Sequence, residues 1–442
     1  MHGMSAQATR MEAIGGSYDR WLLGAALALA AIGVIMVASA SVAQTTSPSY
    51  YLVRHLAHLC AGAVLAAVAM RVELRRVEEY NQWLLVGCFA LLALVMVPGL
   101  GHSVNGARRW VRLPGLGGFQ MVEAVKVLYI VWLSSYLVRF SDEVNATWPA
   151  LLKPLGVVMA LVAILLMQPD FGSSVLLAGI TVGMLVLAGG NLPRLGMPAL
   201  IGGFGLVAIA VIEPYRLRRI TSFWDPWADQ LGSGYQLTNA LMAIGRGEWT
   251  GVGLGGSIQK LNYLPEAHTD FIFSVLAEET GFLGVCVVIA LLGLLIGRAL
   301  WIGSQCVEQQ RHFSGYIAYG IALWLGMQGF ISIGVNLGML PTKGLTLPLI
   351  SAGGSSVMMT CAAVGVLLRV SWECKRTERR QSWRVAGGME PVRAQADDQA
   401  GDDLPPRVPV SATEVAARYQ GAAVRGTSRL QARVEPTFGD LR

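Results

Sequence analysis

The stretch "WLLGAALALAAIGVIMVASASVA", Trp21 to Ala43, carries no charged residue. At 1.5 Å per residue a helix of this length crosses a hydrocarbon core of roughly 30 Å. Its Ala38-Ser39-Ala40 end resembles a leader cleavage site. The apolar region, however, exceeds the roughly 7–15 residues of a leader, so an uncleaved span is expected. Runs of the same kind recur, at about 52–70, 83–100, 119–138, 151–167, 172–189, 196–213, 271–297, 313–337 and 347–369. A soluble chain shows amphipathic periods instead of serial apolar runs. The composition agrees: 54% of the 442 residues are hydrophobic and 14% are charged, against about 25% charged in soluble domains. Mean hydropathy is +0.51. The expected fold class is all-α, a polytopic membrane protein of about ten transmembrane helices with a long outward loop at about 214–270.

The net charge of +6 lies largely in short loops and just after the last span. That is a membrane-topology pattern and not a nucleic-acid surface. Arg71, Arg75 and Arg76 follow the second run, and Arg369, Lys375, Arg376, Arg379 and Arg380 end the last one. An even number of spans then puts both termini in the cytoplasm, with residues 1–20 a short cytoplasmic segment, 21–370 the membrane domain and 371–442 a polar, disordered tail. The six cysteines have neither CxxC spacing nor histidine neighbours at ligand spacing and read as small buried hydrophobes.

On the outward side, Arg108, Arg109 and Arg112 sit at 101–118, Arg216, Arg218, Arg219, Arg246 and Lys260 in the long loop, and Lys343 in "LPTKGLTLP". Outward cations oppose the topology rule and suit an anionic ligand, unless they snorkel to headgroups. "GVGLGGS" at 251–257 lacks the strand and helix of a dinucleotide loop. It reads as a sharp bend or, second to that, a close backbone approach to a ligand. Glu123 and Lys126, at i and i+3 inside the fourth run, are a structural ion pair or a cavity pair. Asp170 in "QPDFGSS" reads as a turn and cap residue first and a catalyst second. "LPEAHTDFIF", Leu264 to Phe273, gathers Glu266, His268 and Asp270 at the brink of an apolar run. Asp270 is there either an N-cap, with Thr269 as the other candidate cap, or a base facing a cavity. Glu278 and Glu279 lie about 12 Å deeper along a continuous helix, where they need a donor or a proton.

"GARRW" at 106–110, "QPDFGSS" at 168–174, "YLPEAHTDFIFSVLAEETGFLG" at 263–284 and "LPTKGLTLPLISAGGSS" at 341–356 together resemble the SEDS family of bacterial wall synthases. The resemblance runs from about residue 20 to 370, and Ala267 resembles the division branch more than the elongation branch. It implies an inner-membrane, multi-pass peptidoglycan glycosyltransferase at the division septum that polymerises lipid II on the periplasmic face. The aspartate essential in the family falls on Asp270. Substrate contacts are then expected from Arg108, Arg109, Lys343, Glu266, His268 and Ser355, with Glu123, Lys126, Asp170 and Glu278 as structural or cavity charges. The implied partners are a class B penicillin-binding transpeptidase and other division-complex membrane proteins, besides membrane lipids and not nucleic acid. Two departures touch local geometry: Gln120-Met121-Val122-Glu123 keeps only the ends of the family's "QPSE", and Ala352 stands where tyrosine is common.

The chemistry needs few residues. Pyrophosphate is a good leaving group, so one base for the acceptor hydroxyl and cations for the departing charge suffice, without paired glycosidase-type carboxylates. A divalent cation is compatible with this, but no ligand cluster compels one. The rival readings are a flippase for the same lipid, which internal charges such as Glu123 and Lys126 would suit, and a scaffold for the transpeptidase.

Overall fold

The computed structural model describes residues 16–42, 49–104, 107–113, 117–212, 222–341 and 344–385. The helices are α1 (Arg20–Ala40), α2 (Tyr50–Arg71), α3 (Leu74–Glu79), α4 (Asn81–Met96), α5 (Met121–Arg139), α6 (Ser141–Ala146), α7 (Trp148–Met167), α8 (Phe171–Leu187), α9 (Leu192–Ile212), α10 (Tyr235–Gly247), α11 (Ile272–Glu308), α12 (His312–Asn336) and α13 (Gly354–Val385). Among the described residues eight helices are long and apolar enough to cross a membrane, and α4 and α8 are shorter apolar helices. Helices satisfy their own backbone groups, which a hydrocarbon medium requires.

Local chemistry sets the helix starts. Asp19 caps α1 by accepting from the Leu22 amide at 2.8 Å, and a proline enters α7 in its first turn. The main core is a continuous apolar cluster that includes residues of α1, α5, α7, α8, α11, α12 and α13, and a small second cluster joins Val95 of α4, Val111 and Met121. α5 is buried round most of its circumference and forms the centre, whereas α2 and α9 turn most of their surface outward.

One end of the bundle is locked by charge. Asp19 accepts from the Arg298 guanidinium, and its amide donates to Ser371 Oγ at 3.1 Å. Glu373 bridges Arg311 at 2.6 Å and Arg369 at 2.8 Å. α13 continues past these contacts to Val385, so residues 371–385 of the expected tail are helical; the remainder lies outside the described residues.

Two expected loops are structured. Three segments form an antiparallel sheet, β1 (Gly101–Val104), β2 (Ala107–Leu113) and β3 (Gly117–Gln120), in the order β1-β2-β3. The long loop contains α10, whose apolar face (Leu237, Ala240, Ala243) is buried. Neither element shows as an apolar run of spanning length. The run at 271–297 is also not one helix: α11 breaks at Gly281, with φ 67° and ψ −166°.

Candidate functional site

The turn before α11 is built by hydrogen bonds within "EAHTDF". Glu266 adopts φ 56°, and its carbonyl accepts from the Thr269 and Phe271 amides. Thr269 Oγ1 donates to Glu266 Oε2 at 2.6 Å. The N-cap of α11 is Phe271, without a side-chain cap bond. The capping role considered for Asp270 and Thr269 is therefore not the one they take. Asp270, half-buried, is free of that duty because the helix begins beyond it.

Asn336, fully buried at the end of α12, fixes this start. Its Nδ2 donates to the Asp270 carbonyl at 2.9 Å, and its Oδ1 accepts from Ser274 Oγ at 2.8 Å and the Ser274 amide at 3.2 Å. The segment from Gly344 to Gly353 packs on the other side. A Cβ added at Gly344 would stand 2.9 Å from Asp270 Oδ2, and the Ala352 amide donates to the His268 carbonyl at 2.9 Å. Glycine at 344 thus leaves room for the carboxylate.

The Gly344–Gly353 segment is wired to the core. Lys126 Nζ lies 2.8 Å from Glu123 Oε1 and donates to Gln328 Oε1 at 2.9 Å. Gln328 Nε2 donates to the Thr346 carbonyl at 2.9 Å, and Thr346 Oγ1 donates to Ser356 Oγ at 2.8 Å. Lys126 also stands 4.7 Å from the Trp324 ring centroid. Lys126 is fully enclosed and Glu123 nearly so, and the pair lies within the packed core. Ser355 is buried beside Ser356 at the start of α13.

Glu278 and Glu279 end the short first part of α11, and both find donors. Glu278 accepts from Arg246 at 3.0 Å, Ser257 Oγ at 2.5 Å and the Ile258 amide at 3.1 Å. Glu279 accepts from Lys260 at 2.7 Å and Ser39 Oγ at 2.6 Å. Loop backbone then replaces helix backbone across the break. Val252 and Gly253 amides donate to the Glu278 and Glu279 carbonyls, and Phe282 and Leu283 amides donate to the Glu248 and Trp249 carbonyls. A Cβ on Gly251 would stand 2.2 Å from the Glu279 carbonyl oxygen, and one on Gly281 2.3 Å from the Gly251 nitrogen. "GVGLGGS" therefore bends sharply to bring its backbone against this chain's own helix break, where the expected second alternative was approach to a ligand. Two carboxylates deep on a continuous helix are corrected to two carboxylates clamped just before a break.

The adjacent arginines separate. Arg108 is exposed. Arg109 reaches the "QPD" turn: Nε donates to the Gln168 carbonyl at 3.0 Å, Nη2 to the Pro169 carbonyl, and Nη1 lies 3.9 Å from Asp170 Oδ1. Asp170 caps α8, accepting from the Ser173 amide at 3.2 Å and Ser173 Oγ at 2.8 Å. Arg109 thus ties the sheet to the start of α8. Lys343 lies outside the described residues. His268 is buried with its ring 4.2 Å from that of Tyr51. Burial pushes its imidazole below the usual value, Glu266 opposes the shift, and Arg54 adds to it. Among the described residues no three His, Cys, Asp or Glu side chains gather as a metal-ligand set.

Asn336 and Gln328 were not among the residues singled out from sequence. Their signal is an uncharged polar side chain inside an apolar run, which must find partners within the bundle.

The chain matches the family model described as cell cycle protein FtsW/RodA/SpoVE over residues 20–376. It is 60% identical to a probable peptidoglycan glycosyltransferase FtsW of Xanthomonas oryzae pv. oryzae, covering 100% of this chain and 94% of that one. A protein of the same name from Coxiella burnetii is 48% identical, over 82% of this chain and 99% of the other. Among solved structures it resembles a peptidoglycan synthase complex studied for the coordination of polymerization and crosslinking, with TM-score 0.66, 30% identity and coverage of 81% and 98%. The rod shape determining protein RodA of Thermus thermophilus aligns with TM-score 0.60 and 29% identity, over 80% of this chain and 96% of the other.

Proposed function

This chain belongs to the FtsW/RodA/SpoVE family of cell cycle proteins, and on that premise we propose how its residues carry out glycan synthesis. It is a multi-pass membrane protein and a peptidoglycan glycosyltransferase. We read its substrate as lipid II and its working face as periplasmic, at the septum, with both termini cytoplasmic. Asp270 takes the proton of the acceptor hydroxyl. The freed oxygen attacks the donor's anomeric carbon from the side opposite the pyrophosphate, and that carbon–oxygen bond breaks with inversion. A positioned base contributes about 10²–10⁴-fold.

The observation that carries this reading is the isolation of Asp270 from helix capping. Its backbone is pinned by Asn336 while its carboxylate faces Gly344. An aspartate needed only to start a helix would not require a second helix to hold it. Arg109 supports the site by fixing the "QPD" turn, and Arg108, exposed, is the cation of the pair left to meet an anion.

The flippase reading drew on Glu123 and Lys126 as cavity charges. Their enclosure in the core and their mutual ion pair weigh against a role as open cavity charges. A transpeptidase partner is compatible with catalysis and fits the resemblance to a synthase complex. The test is polymerisation of lipid II by the purified protein in detergent, where flipping has no meaning. Glycan strands from wild type and none from Asp270→Asn are expected; a purified, folded wild type that makes none would refute the enzyme reading.

A further inference from the structure

The end of the bundle that holds Asp19 carries more cations than acids. Asp19, at the start of α1, accepts from the Arg298 guanidinium of α11 and lies 3.9 Å from Lys375 Nζ of α13. Glu373, on α13, pairs with Arg311, just before α12, and with Arg369 one turn back. Among the described residues these four cations share two carboxylates, which leaves two positive charges over. The two halves of the cluster meet at Ser371, whose hydroxyl accepts from the Asp19 amide. Three guanidiniums lie over indoles. Arg298 stands 4.1 Å from the Trp301 ring centroid, and Arg369 and Arg376 stand 4.8 Å and 5.2 Å from that of Trp372. The Arg298, Arg311 and Lys375 side chains are partly exposed, and such groups keep further N–H donors once one acid is met.

At 1.5 Å per residue, Arg298 lies about 25 Å along α11 from the break at Gly281. That is close to the roughly 30 Å of a hydrocarbon core, so the cluster lies where acyl chains give way to headgroups. Trp21, beside Asp19, and Trp301, beside Arg298, are exposed, as aromatic residues are at this depth. α1 packs along α11, and exposed Leu27 of the one and Ile289 of the other continue an apolar surface away from the charges. Basic groups between spanning helices bind the phosphates of anionic lipids, and two spare charges match two phosphates. We propose that the Arg298–Lys375–Arg311–Arg369 cluster binds an anionic phospholipid that carries two phosphates, with its acyl chains against α1 and α11. The leaflet follows from the reading of this end as cytoplasmic; the binding does not. Because the cluster joins α1, α11, α12 and α13, a lipid that binds only the folded chain stabilises this end of the bundle.

Delipidated full-length protein in non-ionic detergent is titrated with cardiolipin, phosphatidylglycerol or phosphatidylethanolamine, with binding read by native mass spectrometry and by melting temperature. Cardiolipin should bind and raise the melting temperature. Phosphatidylglycerol at equal phosphate should bind at least about fivefold more weakly, the worth of one charge near the headgroups, and phosphatidylethanolamine should leave the melting temperature unchanged. Inorganic pyrophosphate, which lacks acyl chains, should not displace cardiolipin. Lys375→Gln gives up the longest of the ion pairs to Asp19, so its lipid-free melting temperature should stay near wild type while cardiolipin affinity falls about fivefold. Glu373→Gln should act in the opposite direction and tighten cardiolipin, because it releases Arg311 and Arg369; a cluster that serves packing alone would weaken in both variants. If Glu373→Gln does not fold, Lys375→Glu takes its place and must weaken binding further than Lys375→Gln. Phosphatidylglycerol binding as tightly as cardiolipin, displacement by pyrophosphate, unchanged affinity in Lys375→Gln, or weakening in both Lys375→Gln and Glu373→Gln overturns the proposal. A reversed topology, read by labelling from each side of the membrane, would change the leaflet and leave these affinities as they are.

Discussion

Asn336 donates to the Asp270 carbonyl at 2.9 Å and accepts from Ser274 Oγ at 2.8 Å, so the last residue of α12 sets the entry into α11. Asn336→Ala would leave these buried groups unsatisfied, at about 1–3 kcal/mol for each unmet partner. It would also let the carboxylate drift, and a displacement near 1 Å costs on the order of 10²-fold in rate. The expected outcome is a kcat loss of about that size with little change in KM. Asn336→Asp keeps the acceptor, loses the donor and should lie between. Steady-state polymerisation kinetics beside thermal unfolding decides it; normal kcat in a folded Ala variant removes the positioning role.

Asp270→Asn keeps size and removes charge. Because the side chain is not the cap of α11, helix stability should change little, while polymerisation should fall by at least about 10²-fold. Activity per folded molecule, with folding read by detergent melting temperature, is the measurement. A collapse in stability matching the lost activity would instead indicate a structural aspartate.

The spanning helices were legible because a hydrocarbon solvent leaves long uncharged runs in the sequence, as in Trp21–Ala43. The sheet of β1, β2 and β3 and helix α10 were not, because both are too short to leave an apolar run and α10 buries its face against elements distant in the chain. The motifs located the Asp270 turn but not its support. Asn336 and Gln328 act through contacts to residues distant in the chain, among them Asp270 and Thr346, 66 and 18 positions away, and no local pattern announces such contacts. The arginine pair shows the same limit: adjacency in sequence did not predict that Arg109 docks on a turn while Arg108 stays exposed.

The break in α11 depends on two backbones meeting at Gly251 and Gly281. Each has a positive φ, 78° and 67°, and each faces backbone atoms within 2.3 Å of its would-be Cβ. Gly251→Ala must therefore distort the loop or the helix, and backbone atoms cannot move aside as a flexible side chain can. We expect loss of several degrees in melting temperature and weakened clamping of Glu278 and Glu279. Gly253→Ala, with positive φ but open space around its Cβ, carries the conformational strain alone and should be milder. Equal melting temperatures for the two variants would show that close approach is not what selects Gly251.

His268 gives a pH test. Burial holds its folded value below the unfolded 6.5. Between those values the unfolded chain binds more protons, so stability rises with pH through this window and falls on acidification. His268→Gln removes this group's contribution and should flatten the melting-temperature profile below about pH 6.5. An unaltered slope would mean that His268 titrates alike in both states.

The Glu123–Lys126 pair is the clearest test of structural against functional charge. Lys126→Met strands Glu123 in the core, and Glu123→Gln strands Lys126. Breaking such a pair costs about 3–5 kcal/mol, whereas replacing both members is often near neutral. The double variant Glu123→Gln/Lys126→Met should therefore melt closer to wild type than either single variant. Gln328 complicates the cycle in a useful way. Its oxygen accepts from both Lys126, at 2.9 Å, and Trp324, at 2.7 Å, so one donor remains when the lysine is lost. Its amide should keep hold of the Thr346 carbonyl, and the segment beside Asp270 should stay in place. The double variant is then expected to retain polymerisation within about threefold, a loss below 1 kcal/mol. Melting temperatures and kcat on lipid II for the four proteins close the cycle. Recovered stability with activity still abolished would return these charges to the chemistry.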